Sequence, residues 1–298
     1  MQVKTKGIKI VSTITVNGIF VLISLICVVP LLLVLSASFT TDAALSANGY
    51  ALIPKEFSVS AYSYIFRKPQ QIINAYQVTI LVTVVGTLIS LLCTGMFGYV
   101  ISRKDYALQK LFSFILLFTL LFNGGMVPSY IMITRYYHLK DTLLVLILPG
   151  VISPWNVFLM RGFFSDLSSS LIDAAKIDGA SETRIFFRII VPISKPAFAT
   201  IGLFVAFAYW NDWWRSLLYI DNPRLVSLQF YLYRIMANIQ LLLTTMREVG
   251  SSAVNIAELP GETARMALCV LAAGPMLFIF PFFQKYFVRG LTIGAVKG

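Results

Sequence analysis

Apolar residues run through this chain in long blocks, without the apolar–polar alternation of a half-buried strand. Six blocks are long enough for a helix to cross the hydrocarbon core, which takes about 20 residues. They lie near residues 11–37, 75–101, 110–134, 141–160, 196–220 and 264–284. Polar and charged positions collect between them. The pattern predicts an all-α membrane protein with six transmembrane helices. It divides into an N-terminal helix and outer loop over 1–74, a core membrane domain over 75–284, and a tail over 285–298. The first block follows Lys4, Lys6 and Lys9, as in a signal peptide, but its apolar core is about twice the length of a signal h-region. It reads as an uncleaved first span.

Lysine and arginine place the two sides. With the N-terminus in the cytoplasm, they are denser in the inner segments 1–10, 102–110, 161–195 and 285–298 than in the outer ones. Both termini then face the cytoplasm. The inner segment between spans four and five and the outer segment 221–263 are long, and neither holds a spanning run.

Composition narrows the function classes. Hydrophobic residues make up 58% of the 298 and charged ones 12%, about half the charge of an average soluble domain. A water-soluble enzyme and a disordered chain are excluded. The net charge of +11 fits basic loops against an anionic membrane surface better than nucleic acid. Cys27, Cys93 and Cys269 sit inside apolar runs and read as packing residues. His138 is the single histidine and reads as a surface residue, so no metal site is expected.

Residues 170–192 carry the most information. Ser170 and Asp173 have capping-box spacing, Gly179 is a natural helix terminator, and Pro192 marks the end of a second helix. The spacing predicts a helix–turn–helix: one helix over 171–177, a second over 181–191, and a small-residue knuckle at Ala174, Ala175, Gly179 and Ala180. Asp173, Lys176, Asp178, Glu182 and Arg184 surround it. On composition alone a solvated connector, whose glycine only ends a helix, is the simpler reading.

The string resembles the cytoplasmic "EAA loop" of permease subunits of binding-protein-dependent ABC importers. Asp173-Ala174-Ala175 matches its opening, with Asp for Glu. Asp178-Gly179-Ala180 matches its centre, and Phe186, Ile189 and Pro192 keep the spacing, with Val191 for Leu. The run from Gln284 to Gly298 resembles the tail of the second permease of maltose-type sugar importers. Phe122 to Tyr130 and Trp210-Asn211-Asp212 resemble the subgroup serving complex oligosaccharides, including uronate-containing ones. The resemblance implies a type I importer permease fold in the bacterial cytoplasmic membrane. It implies a coupling helix docking through Asp173 to Arg184 on an ATPase, a second permease as heterodimer partner, two ATP-binding subunits and an external solute-binding protein. Cofactors are expected on the partners, which would bind ATP and magnesium. This chain has no Gly-rich phosphate loop of the Walker type.

Thr79, Thr83, Thr87, Ser90 and Thr94 fall on one face of span two. They are candidates for a polar path, or for helix packing. Asn123-Gly124-Gly125 and Pro128 should distort span three, and Pro149 and Pro154 span four. Broken membrane helices are tolerated inside protein or beside a cavity, which makes Asn123 and Asn156 path candidates. Trp210, Asn211 and Asp212 are further candidates, since a charge near lipid needs a reason. Trp213 and Trp214 fit a sugar-stacking surface and an interfacial belt equally. Arg224, Tyr231, Tyr233, Arg234 and Arg247 in the outer loop suit contact with a binding protein, or plain solvation. A non-sugar importer, a membrane enzyme on lipid-linked glycans and a stand-alone channel are the rivals. The last two have no use for the docking string.

Overall fold

The structure is a computed structural model describing residues 2–67, 69–249 and 261–295. Side chains of 2–13, 243, 246–249 and 282–295 are outside the description. Lys4, Lys6, Lys9, Arg247 and the tail after Gln284 therefore lie outside the described side chains. No β-strand forms among the described residues. The helices are α1 Gln2–Ser38, α2 Asp42–Asn48, α3 Ser60–Ile65, α4 Pro69–Ser102, α5 Gln109–Leu121, α6 Met126–Ile131, α7 Leu143–Ile147, α8 Pro154–Ser165, α9 Ser169–Ile177, α10 Glu182–Ile185, α11 Val191–Ile193, α12 Lys195–Trp210, α13 Trp214–Tyr219, α14 Leu228–Val249 and α15 Glu262–Ala295.

Three helices are long and apolar enough to cross a membrane unbroken: Ile14–Ser38, Pro69–Ser102 and Glu262–Pro281. Three bent pairs qualify as broken spans. This gives the six expected spans, and half of them are kinked. The third bends by 112° between Leu121 and Met126, at the Asn-Gly-Gly run. Gly125 stands there at φ +90, a conformation only glycine adopts freely. Pro128 sits inside α6 and is not the break. The fourth span bends by 48° where a 3₁₀ turn over Leu148–Gly150 meets Pro154, as the prolines predict.

The fifth span departs from expectation. The helix over the end of the 170–192 segment, Glu182–Ile193, meets Lys195–Trp210 at a bend of 84°, and of the two only Lys195–Trp210 lies in the expected span. Residues 214–219 form the separate helix α13. The expected span also stops short at Trp210: Trp213 is the N-cap of α13 with no side-chain cap of its own, and the Asp212 carboxylate just ahead of it accepts the Arg215 N–H at 3.2 Å. The segment 221–263, expected as an outer loop, contains α14 over Leu228–Val249. The core helix begins at Pro69, ahead of the expected boundary at 75.

Two compact units divide the chain. One comprises Met1–Lys68 with Arg234–Gly274, the other Pro69–Tyr233 with Pro275–Gly298. In the first, Asp42 binds the start of α15, accepting the Gly261 and Thr263 N–H groups and the Thr263 hydroxyl. Within Ile14–Ser38 the most apolar window buries nothing against the chain. A helix apolar all round needs lipid or another subunit around it. In the second unit α4 packs along α12 and α8, around a core that includes Val145, Met160, Ile185 and Ile201.

Candidate functional site

The 168–194 segment folds as the helix–turn–helix its residues predict, with local corrections. Helix α9 starts one residue before Ser170, after Ser168, and no side chain caps it. The Ser168 and Ser170 hydroxyls pair with each other at 2.7 Å, so the capping box with Asp173 does not form. Gly179 stands at φ +75. Its N–H bonds the Lys176 carbonyl and the Ala180 N–H bonds the Ala175 carbonyl. That pair of bonds is a Schellman termination. Ser181 then caps α10 through the Arg184 N–H. Pro192 lies inside α11, and the segment ends at Ser194.

Burial sorts the knuckle into two faces. Ile172, Ala175, Ile185, Phe186 and Ile190 turn inward and are buried, while Ala180 is half-buried. Ala175 is therefore a packing residue of this chain. Asp173, Ala174, Lys176, Asp178, Gly179, Glu182 and Arg184 are exposed. Ile177 is 87% exposed. An apolar side chain of this size gains roughly 1.5–3 kcal/mol when covered. The exposed face is thus small, partly apolar and rimmed by charge.

Two of the exposed charges are already engaged within the chain. Lys176 Nζ reaches Asp105 at 3.0 Å and Glu182 at 3.1 Å. Asp105 also receives the Arg103 guanidinium. Glu182 accepts the Tyr99 hydroxyl at 2.8 Å. Bonds from Arg103 and Lys176 hold the Asp105 carboxyl well below the usual carboxylate range. Burial pushes the Glu182 carboxyl up, but the bonds from Tyr99 and Lys176 outweigh it and hold it below its ordinary value. Bonds to Asp105 and Glu182 raise Lys176. A cleft of about 420 Å³ lies beside the network, lined by Tyr99, Val100, Arg103, Asp105, Tyr106 and Glu182. Tyr99, Arg103 and Asp105 are functional candidates that sequence reasoning missed. The Tyr99–Glu182 and Asp105–Lys176 bonds span 83 and 71 positions.

A second polar cluster sits at the far end of α12. The break in span four frees the carbonyls of Leu146 and Ile147. Arg215 donates to the first at 3.0 Å and the Tyr209 hydroxyl to the second at 2.8 Å. The guanidinium lies 5.4 Å from the Tyr209 ring centroid and against Gly150, where an added Cβ would stand 2.5 Å from a guanidinium nitrogen. Asp212 pairs with Arg215 at 3.1 Å, and both are mostly buried. The reason for a charge at this depth is therefore Arg215, which sequence reasoning also missed. The one signal was its i,i+3 spacing from Asp212.

Of the other path candidates, Thr79 joins this cluster, lining one small pocket with Leu146, Tyr209, Asp212 and Ser227; the rest lie apart. Thr79 is buried and accepts the Leu228 N–H at 2.8 Å, capping α14. Ser90 and Thr94 are fully buried. With Gly86 and Gly98 they form a four-residue repeat of small residues, the pattern that lets membrane helices approach closely. A Cβ on Gly86 would meet the Tyr209 ring at 2.7 Å, and one on Gly98 would meet Met160 at 3.0 Å. The stripe, including half-buried Thr83, belongs to the helix whose small face packs against α12 and α8. Close packing accounts for Gly86, Ser90, Thr94 and Gly98, while the Thr83, Thr87, Ser90 and Thr94 hydroxyls are buried with no hydrogen-bond partner among the described residues. Asn123 is exposed and accepts the Gly125 N–H at 2.8 Å. Asn156 is half-buried in the first turn of α8, and Trp210 is buried.

Asn211 is exposed and donates to the Phe207 carbonyl at 2.9 Å. Trp213 packs edge-on to Trp214 at 5.4 Å and stacks on Tyr233 at 5.1 Å, and all three rings are exposed. Arg224 and Arg234 are exposed and Tyr231 half-buried. His138 and Cys27 are exposed, Cys93 is half-buried, and Cys269 is exposed rather than packed.

No family model matches the chain. It is 37% identical to the polygalacturonan/rhamnogalacturonan transport system permease protein YtcP of Bacillus subtilis, over 95% of this chain and 97% of that one. It is 36% identical to protein LplC of the same organism, over 92% of this chain and 90% of that one. Among solved structures it resembles a chain of a bacterial ABC transporter involved in the import of the acidic polysaccharide alginate. The TM-score is 0.76, the identity 27%, and the match covers 92% of this chain and 95% of that one.

Proposed function

The chain belongs to the permease subunits of ABC sugar importers, multi-pass proteins of the bacterial cell membrane, and we propose that it forms half of the sugar path of an importer for uronate-containing oligosaccharides. A second permease forms the other half. Two ATP-binding subunits carry ATP and magnesium, and one of them docks on the 170–192 segment. Both termini face the cytoplasm, and a solute-binding protein delivers the sugar outside. The observation that carries the substrate class is the pair of relatives: one is named for polygalacturonan and rhamnogalacturonan, the other for alginate. Both handle acidic sugar polymers.

The physics explains why two permeases are needed. Each sugar hydroxyl stripped of water in hydrocarbon costs several kcal/mol, and an anionic carboxylate costs far more. The path must be polar and enclosed between subunits, with ATP closure driving it from inward-open to outward-open. Docking rests on the face around Gly179, where Ala174, Ile177 and Asp178 stand free for a partner to cover. The outer rings of Trp213, Trp214 and Tyr233 suit stacking on pyranose faces, with Asn211 for hydroxyls and Arg224 for carboxylates.

The test is purification of the tagged chain from its native membrane, followed by ATPase assays in vesicles with its binding protein. Recovery of a second permease and an ATP-binding subunit, with hydrolysis stimulated by trigalacturonate and not by maltotriose, is expected. A chain that purifies without an ATP-binding subunit overturns the docking. Stimulation by maltotriose alone overturns the substrate class.

A further inference from the structure

The network at the inner end of α4 lies behind the exposed knuckle and not on it. Asp105, just past α4, holds Lys176 of α9 at 3.0 Å. Tyr99, inside α4, holds Glu182 of α10 at 2.8 Å. The helices on either side of Gly179 are thus tied to one helix end. Lys176 and Glu182 also bond each other at 3.1 Å, so the ties close into a ring. Arg103 anchors the ring. Its side chain is 12% exposed, donates to the Tyr99 hydroxyl at 2.9 Å and approaches Glu182 at 3.5 Å.

The anchor is rooted in the core. The Tyr99 ring stands 5.6 Å from Phe186 and 6.3 Å from Phe164, and α4 packs along α12 and α8. Apolar burial of Ile172 and Ala175 holds α9 against the core and is itself non-directional. Hydrogen bonds between charged groups depend on distance and angle. Closed into a ring, they fix the register of α9 and α10 against α4.

We propose that Tyr99, Arg103 and Asp105 are positioning residues of an intrachain strut, through which movement imposed on the 170–192 segment by the ATP-binding subunits turns α4 with it. The proposal rests on the importer reading above and adds the route by which motion leaves the docking segment. Tyr99 and Asp105 act through Lys176 and Glu182 and need not touch the ATPase.

The experiment uses the complete importer in vesicles, with its binding protein and trigalacturonate. Three quantities are read for Asp105→Asn and Tyr99→Phe: ATP-binding subunits retained on purification, ATP hydrolysed, and sugar imported. Full retention is expected. The ATP consumed per sugar should rise about threefold for Asp105→Asn and about twofold for Tyr99→Phe, on the scale of an exposed ionic contact. Asp105→Glu should recover most of the coupling. A merely structural role lowers hydrolysis and import together, so an unchanged ratio in both variants overturns the proposal. Loss of the ATP-binding subunits from either variant also overturns it, by placing these residues in the docking contact. Should Asp105→Asn fail to accumulate, Tyr99→Phe decides, because it keeps the ring and removes only the hydroxyl. An unaltered importer that retains no ATPase brings down the importer reading instead.

Discussion

The two ends of the core unit are each held by a polar cluster built around one arginine, and the clusters differ in depth. At the end proposed above to face the cytoplasm, the inner end, Asp105 and Glu182 are more than half exposed. At the outer end, Asp212 is 15% and Arg215 24% exposed. Water can replace any single bond of the inner ring. At the outer cluster, losing one member leaves a charge or a carbonyl unmatched in a poorly solvated place. The inner ring therefore suits a part that moves, and the outer cluster a part that stays fixed. Arg215→Ala tests the fixed end most severely. It orphans Asp212 and the Leu146 carbonyl together and opens space above Gly150. A loss of about 3 kcal/mol is expected, at the low end for a broken buried pair because some exposure remains. Thermal melting of the purified importer reads it. Asp212→Ala should fall close behind, lowering assembly and transport together. Transport lost with assembly and melting intact would return Asp212 to the sugar path.

Crowding probes the same end from the other side. Gly86→Ala drives a Cβ into the Tyr209 ring, which its bond to the Ile147 carbonyl holds in place. Overpacking of this kind costs about 1–3 kcal/mol. With Tyr209→Phe added, the ring is free to retreat, so the double variant should melt higher than the sum of the singles predicts. Strict additivity would mean that Tyr209 is not pinned.

How far the sequence reached follows the same division. Six apolar blocks, the breaks at Asn123-Gly124-Gly125 and Pro149, and the turn at Gly179 are local properties of short strings, and all were legible. The faces of the knuckle were only half legible: Ala174 and Ala175 are neighbours of one type, and only packing decides that Ala175 turns inward. Arg215 showed only its i,i+3 spacing from Asp212, because the rest of its role depends on carbonyls some 69 positions earlier. Tyr99 and Asp105 were hidden for the same reason. Thr79 looked like a path residue because a hydroxyl stripe in hydrocarbon invites that reading. Its partner, the first N–H of α14, belongs to a helix the pattern did not show.

At the inner end the knuckle separates conformation from contact. Nothing lies within 4 Å of the Gly179 Cβ position, so a side chain there crowds no part of this chain. Gly179→Ala should cost about 1–2 kcal/mol from its left-handed backbone alone. Gly179→Asn, which tolerates that conformation, should melt within about a degree of the unaltered protein. If a partner covers this face, the Asn variant should still lose ATP-binding subunits on purification. Full retention would mean that the glycine serves only the turn, and the docking face must be sought elsewhere.

The smallest effect belongs to the ring itself. Asp105 and Glu182 are depressed, so their contribution is present above the unfolded carboxylate range and is lost as pH falls through their lower folded values. Lys176 is raised, so its contribution is present below its unfolded value and is lost as pH rises through the folded one. Between about pH 5 and pH 9 no member changes charge, and the ring should be indifferent to pH across the working range. Salt is the lever that reaches it, because exposed pairs are screened within about 8 Å at physiological ionic strength. Raising salt to about 1 M should increase the ATP consumed per sugar while melting, to which the mostly buried Asp212–Arg215 pair contributes, stays level. A coupling ratio that changes with pH near neutrality and ignores salt would mean that the inner end is held by something other than these five side chains.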